Sequence, residues 1–173
     1  MMKFETHIRN VPDFPVKGIQ FKDITTLLKE PEVFSSAVDY MYAHFRSHDI
    51  TRVVGIESRG FIFGAALAYK LNIGFVPVRK PGKLPAETLV EQYQLEYGKD
   101  SLEIHRDALD NRDRVLIVDD LLATGGTAAA TCRLVKRLGA EIVGVSFLIE
   151  LSELNGRAKL SEYEVHSLIK YAI

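Results

Sequence analysis

The most informative segment of this chain is Arg114-Val-Leu-Ile-Val-Asp-Asp-Leu-Leu-Ala-Thr-Gly-Gly-Thr127. Its first five residues form the clearest apolar run in the sequence, which is typical of a strand that is buried on both faces of a parallel sheet. Helical spacing follows from Thr127 to Leu138, and Gly139 is placed to end that helix. The segment therefore predicts a buried strand, two acids, a glycine-rich turn and a helix, in that order.

The rest of the chain alternates in the same way. Apolar runs predict further strands, and helical spacing predicts a helix that begins at Pro31 and another that ends at Asn72. The predicted strands are residues 52–56, 74–78, 142–149 and 164–169, and the second helix covers residues 61–71. Pro77 predicts that its strand is an edge strand or ends early. Alternating strands and helices predict an α/β fold with a mostly parallel sheet and helices on both faces.

One pair of segments departs from this alternation. Tyr93, Leu95 and Tyr97 alternate with polar residues, and Leu102 and Ile104 alternate again after Gly98-Lys99. Two alternating segments on either side of a glycine-containing turn predict an antiparallel hairpin, here with Gly98-Lys99 as its turn. Ligands of parallel sheets bind beyond the carboxyl ends of the strands. The segments in which we expect chemistry are therefore 57–60, 79–83 and 119–127.

Composition restricts the class of protein. A chain of 173 residues with 47% apolar and 26% charged residues predicts one globular domain over residues 1–173. A net charge of -1 argues against a nucleic-acid partner, and the absence of an 18-residue apolar run argues against a membrane partner. Cys132 is the only cysteine, so no internal disulfide and no thiolate metal cluster can form. We expect a cytoplasmic protein without a built-in metal.

Two histidines share the spacing that metal ligands use. His44 and His48 lie four residues apart, which places both rings on one face of a helix. Nothing nearby in the sequence completes a metal site. We interpret the two residues as a pair of surface histidines.

The glycine-rich turn has the chemistry of a phosphate site. Glycines let the backbone turn tightly and bring its N–H groups close to a ligand. The start of the following helix adds unpaired donors and the positive end of its dipole. Thr124 and Thr127 add hydroxyl donors. The spacing is neither that of a P-loop nor that of a dinucleotide-binding fingerprint, which argues against an ATPase and a dinucleotide enzyme.

The paired acids predict what is attached to that phosphate. Carboxylates repel phosphate, so Asp119 and Asp120 are expected to face vicinal hydroxyls, and a sugar phosphate has both groups. Two alternatives stay open. The acids can form a metal pair only if the strand ends there, because adjacent strand residues point to opposite faces. They can also be acids that close a strand before a turn.

Residues Val115 to Thr127 resemble the phosphoribosyl pyrophosphate signature of the type I phosphoribosyltransferase family. Three further segments resemble its adenine phosphoribosyltransferase branch, and the match extends over nearly the whole chain: Pro12-Asp-Phe-Pro-Val-Lys-Gly-Ile-Gln-Phe-Lys-Asp23, Glu57-Ser-Arg-Gly-Phe61, and Val78-Arg-Lys-Pro-Gly-Lys-Leu-Pro85 continuing to Leu95-Glu-Tyr-Gly98. The resemblance implies a twisted, mostly parallel sheet flanked by helices, a small base-binding hood at residues 1–30 and a mobile hairpin or lid loop at residues 80–98.

The resemblance also implies roles for individual residues. The 5-phosphate is assigned to Ala123, Thr124, Gly125, Gly126 and Thr127, and the ribose hydroxyls to Asp119 and Asp120. The family uses basic loop residues that match Arg79, Lys80 and Lys83 on pyrophosphate, and one of these three reaches into the neighbouring subunit. Arg59 is also assigned to pyrophosphate, because it follows a strand at the ligand edge and its guanidinium fork suits this group. The base is assigned to Phe21, Leu121 and the main chain around Gln20 and Lys22. Each assignment has an open alternative. Arg59 can form a plain salt bridge with Glu57, the basic residues 79–83 can form a merely solvated loop, and Phe21 can be a core residue.

One position departs from the family pattern. Some members carry a glutamate that handles the ring proton of the purine, and the matching residue here is Ser101. A serine hydroxyl is a poor acid or base near neutral pH. Glu103 lies two residues further on and would share a face with Ser101 in a strand. The proton is therefore assigned to Ser101, to Glu103 or to water.

The resemblance implies an activity, a metal and an assembly. We expect a homodimer that uses Mg²⁺ to transfer the phosphoribosyl group of phosphoribosyl pyrophosphate to adenine, which gives AMP and pyrophosphate. Such a reaction needs electrostatic stabilisation and a lid that excludes water. The alternatives are an enzyme for hypoxanthine, guanine or xanthine, and a non-catalytic regulator that senses phosphoribosyl pyrophosphate.

Overall fold

A computed structural model describes residues 2–95 and 98–172 of the chain. The chain forms two compact units that divide between Tyr40 and Met41. The first unit contains a short 3-10 helix, an antiparallel strand pair, the short helix α1 and most of helix α2. Their bounds are Phe4–His7 for the 3-10 helix, Arg9–Pro12 for β1, Gln20–Asp23 for β2, Thr25–Leu28 for α1 and Pro31–Phe45 for α2.

The loop between β1 and β2, residues 13–19, contains Pro15 and Gly18. Arg9 pairs with Asp23 across the two strands, with its Nη2 atom 2.7 Å from Oδ2. The Asp13 carboxylate accepts a hydrogen bond of 2.7 Å from the backbone N–H of Gly18. The rings of Phe14 and Phe21 meet edge to face with their centroids 5.1 Å apart. These contacts hold the loop together within the first unit.

The second unit is built on a parallel sheet of five strands, which are β3 Arg52–Ile56, β4 Gly74–Val78, β7 Arg114–Leu122, β8 Glu141–Leu151 and β9 Val165–Tyr171. Their order in the sheet is β4-β3-β7-β8-β9. Every pair in this sheet is parallel, so the predicted α/β architecture is confirmed. Strand β4 lies at one edge, as Pro77 predicts.

Helices cover the two faces of this sheet. Val115 and Ile117 of β7 belong to a buried cluster with Leu134 and Val135 of α4, which runs from Gly126 to Arg137. Gly55 of β3 points to the opposite face, where a Cβ atom would lie 3.4 Å from the Phe61 ring of α3, Gly60–Leu71. Helix α3 ends at Asn72, whose φ of 57° is left-handed, as predicted for its stop.

The predicted hairpin is confirmed, but its turn is not where the sequence placed it. Strand β5, Thr88–Leu95, pairs antiparallel with β6, Gly98–His105, and Gly98 already lies opposite Leu95. Gly98 and Lys99 are therefore strand residues, and the predicted turn at these two positions is wrong. The strands are joined through residues 96 and 97, which lie outside the described residues. Leu89 and Tyr93 of β5 are buried in the same cluster as α4.

Strand β7 is longer than its apolar run. The prediction ended it at Val118, whereas the ladder continues to Leu122, with Asp119 opposite Phe147 and Leu121 opposite Ile149. The long strand β8 supplies the partners that keep the acids in the sheet. Within residues 2–95 and 98–172, no helix has the length and the apolar character that crossing a membrane requires.

Candidate active site

The glycine-rich turn, residues 123–127, connects β7 to the N-terminus of α4. Gly125 has a φ of 77° and precedes the first residue of the helix. This left-handed conformation is one that glycine adopts without strain. A small cavity of about 70 Å³ opens here, lined by Asp119 and residues 121–128. The turn therefore places the start of a helix, where backbone N–H groups lack partners within the helix, beside a small cavity, and such helix starts are sites that anions prefer.

A glycine that the sequence analysis did not consider supports this turn. Gly156 begins the 3-10 helix Gly156–Leu160. A Cβ atom on Gly125 would collide with the carbonyl oxygen of Gly156, and one on Gly156 would collide with the carbonyl oxygen of Ala123. The two backbones are thus in direct contact. An isolated glycine far from the motif gives no sequence signal for this contact.

The paired acids have different surroundings. Asp119 lines the cavity, and its Oδ1 atom accepts the backbone N–H of Asp120 at 2.9 Å. Burial, followed by the charge of Asp120, raises the pKa of the Asp119 carboxyl well above its ordinary value. The two carboxyls interact, because Asp120 raises the pKa of Asp119 both by its charge and through a side-chain hydrogen bond, and β7 continues through both residues to Leu122. The strand end that a metal pair required is therefore not present at Asp119 and Asp120.

Asp120 forms an ion pair with Arg59. The Nε atom of Arg59 lies 2.8 Å from Oδ2 of Asp120, whose side chain is 8% exposed. Burial raises the pKa of the Asp120 carboxyl, and the Arg59 charge opposes this shift. Arg59 immediately precedes α3 and remains one-third exposed, so a ligand can reach it. The structure shows an Arg59–Asp120 pair where the sequence analysis considered Glu57.

Glu57 instead binds the basic loop, residues 79–83. Its carboxylate lies 2.6 Å from Lys83 Nζ and 3.3 Å from Arg79 Nη2, and it accepts the backbone N–H of Lys80 at 2.9 Å. Burial raises the pKa of Glu57, but these hydrogen bonds outweigh burial and bring the pKa down to about 2. One carboxylate, 9% exposed, thus anchors the loop through two side chains and the backbone.

The third cation of the basic loop has another acid. Lys80 Nζ contacts Oδ2 of Asp100, and it also donates to the Tyr93 hydroxyl at 3.3 Å. Tyr93 in turn donates to Asp100 at 3.0 Å and accepts a hydrogen bond of 3.3 Å from Thr127. The sequence pattern predicts Tyr93 only as a hairpin residue, and it indicates no role for Asp100. Together these residues link the glycine-rich turn to the basic loop.

This geometry is shared with proteins of known family. The model of the phosphoribosyl transferase domain matches residues 23–172. The chain belongs to the phosphoribosyltransferase family. An adenine phosphoribosyltransferase of Koribacter versatilis is 56% identical over 167 residues, which are 96% of this chain and 92% of the relative.

Solved structures agree with this assignment. The adenine phosphoribosyltransferase of Thermoanaerobacter pseudethanolicus has a TM-score of 0.95 and 53% identity, and the match covers 97% of this chain and 98% of that one. The Saccharomyces cerevisiae enzyme, solved with adenine and D-2,5-dideoxy-2,5-imino-altritol 1,6-bisphosphate, has a TM-score of 0.91 and 42% identity. That match covers 95% of this chain and 96% of the yeast one.

Two predicted residues of the phosphoribosyltransferase site lie on β6. Ser101 and Glu103 are both partly exposed, whereas Leu102 and Ile104 between and beside them are fully buried. The predicted shared face of Ser101 and Glu103 is therefore confirmed. Glu103 accepts the backbone N–H of Gly82 at 3.2 Å, which brings it to the basic loop. The role of either residue in proton transfer stays a prediction.

The predicted base-binding residues belong to the two units separately. Gln20, Phe21 and Lys22 lie on β2 in the first unit, and the Phe21 ring contacts Phe14. Leu121 lies on β7 in the second unit and lines the small cavity. Their roles toward a purine stay predictions, as do the hood and the mobility of residues 80–98.

The paired histidines lie in a cluster away from this site. Glu164 accepts from His44 at 2.7 Å and from His48 at 3.2 Å, and the His166 ring stacks on His44 at a centroid distance of 4.3 Å. Burial and the neighbouring His44 lower the pKa of His166 to about 4. Across the described part of the chain, no group of three or more His, Cys, Asp or Glu side chains could hold a metal ion.

Proposed function

We propose that this chain transfers the 5-phosphoribosyl group from phosphoribosyl pyrophosphate to adenine and releases AMP and pyrophosphate. The single observation that supports this most strongly is the cavity of about 70 Å³ that Asp119 lines together with the glycine-rich turn at the start of α4. Relatives more than half identical over nearly their whole length are adenine phosphoribosyltransferases.

The glycine-rich turn holds the 5-phosphate in this proposal. The N–H groups of residues 124–127 and the hydroxyls of Thr124 and Thr127 supply donors, and the α4 dipole adds its positive end. Charge-assisted hydrogen bonds of this kind are worth roughly 1.5–3 kcal/mol each before desolvation. Asp119 lines the same cavity and accepts hydrogen bonds from the ribose hydroxyls. Asp120, the second acid that we assign to the ribose hydroxyls, also orients Arg59 toward the pyrophosphate through their ion pair.

The basic side chains stabilise the leaving group. A ring nitrogen of adenine forms a bond to the anomeric carbon while the bond from that carbon to pyrophosphate breaks. Positive charge develops on the sugar and negative charge on pyrophosphate. Cations fixed near the leaving group stabilise the transition state more than the ground state. Arg59, Arg79, Lys80 and Lys83 lie beyond the carboxyl ends of β3 and β4, where such charges are needed.

We propose that Mg²⁺ enters with the substrate. Mg²⁺ is commonly held largely by substrate phosphate oxygens, and we expect the pyrophosphate and the ribose of phosphoribosyl pyrophosphate to hold it here. When bound, the ion neutralises charge on the pyrophosphate. The protein residues then orient the sugar and the leaving group around it.

Adenine loses a ring proton in this reaction, and we assign that proton to Glu103, to water or to the Ser101 hydroxyl. Glu103 is the strongest base of the three and lies beside the basic loop. We further propose that the chain acts as a homodimer in the cytoplasm, with a basic-loop residue contributed to the neighbouring subunit, and that residues 80–98 exclude water as a lid. These proposals rest on the family resemblance.

A base-competition assay tests the activity. Pyrophosphate release is measured with adenine, hypoxanthine, guanine and xanthine in turn, with and without Mg²⁺. We expect release with adenine and Mg²⁺, and little with the 6-oxopurines. Preferential use of a 6-oxopurine would overturn the substrate assignment, and tight binding of phosphoribosyl pyrophosphate without turnover would indicate a sensing protein. Sedimentation of the purified chain tests the dimer separately.

A further inference from the structure

The cations of the basic loop are held by two acids that differ in their exposure and in the number of groups that they bind. Glu57 is 9% exposed, and it binds Lys83, Arg79 and the backbone of Lys80. Asp100 is 28% exposed and pairs with Lys80, whose side chain is 38% exposed. Bonds to a buried carboxylate that also holds the backbone are costly to break. A single pair between two partly exposed side chains opens readily.

Asp100 is held ready to accept this lysine. Its Oδ1 atom accepts the backbone N–H of Ser101 at 2.8 Å, and its Oδ2 atom accepts the Tyr93 hydroxyl at 3.0 Å. Burial raises the pKa of Asp100, but the hydrogen bonds from Lys80, Ser101 and Tyr93 outweigh it and leave the pKa below its ordinary value. Both members of the pair are therefore charged at neutral pH.

The Tyr93 hydroxyl completes the arrangement. A phenol has one hydrogen to donate and accepts two hydrogen bonds. Here it donates to Asp100 and accepts from Lys80 and Thr127. Its ring is buried, with the Lys80 ammonium 5.8 Å from the ring centroid. Tyr93 thus holds Lys80 and Asp100 in one position relative to the glycine-rich turn.

We propose that Asp100 is a resting-state partner of Lys80 that competes with pyrophosphate for this lysine. The inference rests on the proposed function, because it takes Lys80 as a pyrophosphate ligand. A phosphate oxygen that binds Lys80 must displace Asp100 from the ammonium, and breaking this ion pair costs free energy. When pyrophosphate leaves, the ion pair between Asp100 and Lys80 forms again, so the Lys80 ammonium is not left unpaired. Asp100 is a positioning residue that lowers product affinity and favours release.

The proposal predicts opposite effects for the two acids. Asp100→Asn keeps the shape of the side chain and removes its charge, so pyrophosphate affinity should rise by about three- to tenfold at low salt. Glu57→Gln loosens the whole loop, so affinity should fall. A role of Asp100 that is only structural predicts unchanged or weaker binding. The sign of the change therefore separates competition from support.

The experiment is calorimetric titration of the full chain with pyrophosphate and Mg²⁺, together with initial rates of AMP formation. The matched control is Glu162→Gln, which removes the charge of an acid paired with Lys136 at 2.7 Å, at the far end of α4. We expect tighter pyrophosphate binding and a lower KM for phosphoribosyl pyrophosphate in Asp100→Asn alone, with a gain that shrinks as salt is added. Unchanged or weaker binding would overturn the proposal.

A double-mutant cycle tests whether the effect acts through the lysine. In a Lys80→Ala background, Asp100→Asn should no longer tighten pyrophosphate, because no ammonium is left to compete for. An equal gain in both backgrounds would mean simple charge repulsion and would contradict the proposal. If the unmodified chain neither binds pyrophosphate nor forms AMP, the proposed function itself fails. That result differs from a chain that does both but shows no effect of Asp100.

Discussion

The glycine-rich turn and the basic loop follow strands of the same parallel sheet at its carboxyl edge, but they are prepared for anions differently. In the turn, the left-handed Gly125 leads directly into α4, and the donors are the backbone N–H groups expected at a helix start, beside the cavity. In the basic loop, the donors are side chains, and Glu57 and Asp100 already engage them. Backbone donors need no partner exchange when an anion binds, whereas the side-chain cations must leave their acids. The turn is therefore a fixed site and the loop an exchangeable one.

The largest expected effect on activity is that of Gly125→Ala, which alters the backbone of the fixed site. The new Cβ would collide with the Gly156 carbonyl, and the residue would keep a left-handed φ that costs alanine about 1–2 kcal/mol. We expect kcat/KM for phosphoribosyl pyrophosphate to fall by about 100-fold or more, since the donors move away from the phosphate. Initial-rate kinetics at varied phosphoribosyl pyrophosphate measure this.

Gly139→Ala is the matched control, at the other end of α4. Gly139 also has a left-handed φ, of 91°, but a Cβ there would meet only ordinary contacts with Asn111 at 3.6 Å or more. It should lower the free energy of unfolding with little change in kinetics. Equal kinetic losses in the two variants would show that the conformation of the turn is not what binds the substrate.

The next effect is that of Asp119→Asn. The amide loses the charge that accepts the ribose hydroxyls, so we expect kcat/KM to fall by about 10- to 100-fold, which is about 1.4–2.7 kcal/mol. Because burial raises the pKa of the Asp119 carboxyl, ionising it in the folded chain at neutral pH costs free energy. The melting temperature of the variant should therefore be no lower than that of the parent chain. Kinetics and thermal unfolding are measured on the same preparation. Unaltered kinetics would contradict the assignment of Asp119 to the ribose hydroxyls.

Glu57→Gln tests the anchor of the exchangeable site. The pKa of Glu57 is held near 2, below its ordinary value of 4.5, so the carboxylate stabilises the fold at neutral pH. This contribution, about 2–3 kcal/mol, is lost as the pH falls from about 5 to 2, because protonation breaks the bonds to the basic loop. Urea unfolding at pH 7 and pH 2 should show a large difference between parent and variant at pH 7 and a small one at pH 2, where the carboxyl begins to be protonated in the folded state as well. A difference independent of pH would contradict the assigned ion pairs.

The smallest effect on activity is expected far from both regions, at His166. Burial lowers its pKa to about 4, so the folded state resists protonation and loses stability as the pH falls from about 6.5 to 4. His166→Asn should weaken this pH dependence by about 1 kcal/mol and leave kcat/KM unchanged at pH 7.5. Unfolding at pH 7 and pH 5 measures the first effect. A loss of activity would link the histidine cluster to the active site.

The fixed site could be predicted from the sequence because its parts are neighbours in the chain. Strand, acids, glycines and helix follow one another from Arg114 to Leu138, and each has a local physical reason. The same locality explains why the strands and helices of the second unit were predicted to within a few residues. The end of β7 was missed because it depends on the length of β8, which lies later in the chain.

The exchangeable site could not be predicted in the same way. Glu57 lies 26 residues before Lys83, and Asp100 lies 20 residues after Lys80, so no local pattern links them. Gly156 contacts the glycine-rich turn in space but is even more distant from it along the sequence. The hairpin turn was misplaced because Gly98 has a φ of 107°, which suits a turn as well as a strand end beside one. Such pairings are set by tertiary structure.

The most direct test of the central claim is a crystal structure of the chain with AMP. The fixed site predicts that the phosphate oxygens lie about 2.7–3.2 Å from the backbone N–H groups of residues 124–127, with the ribose hydroxyls at Asp119. A phosphate bound at the basic loop or elsewhere, with the glycine-rich turn empty, would contradict the account.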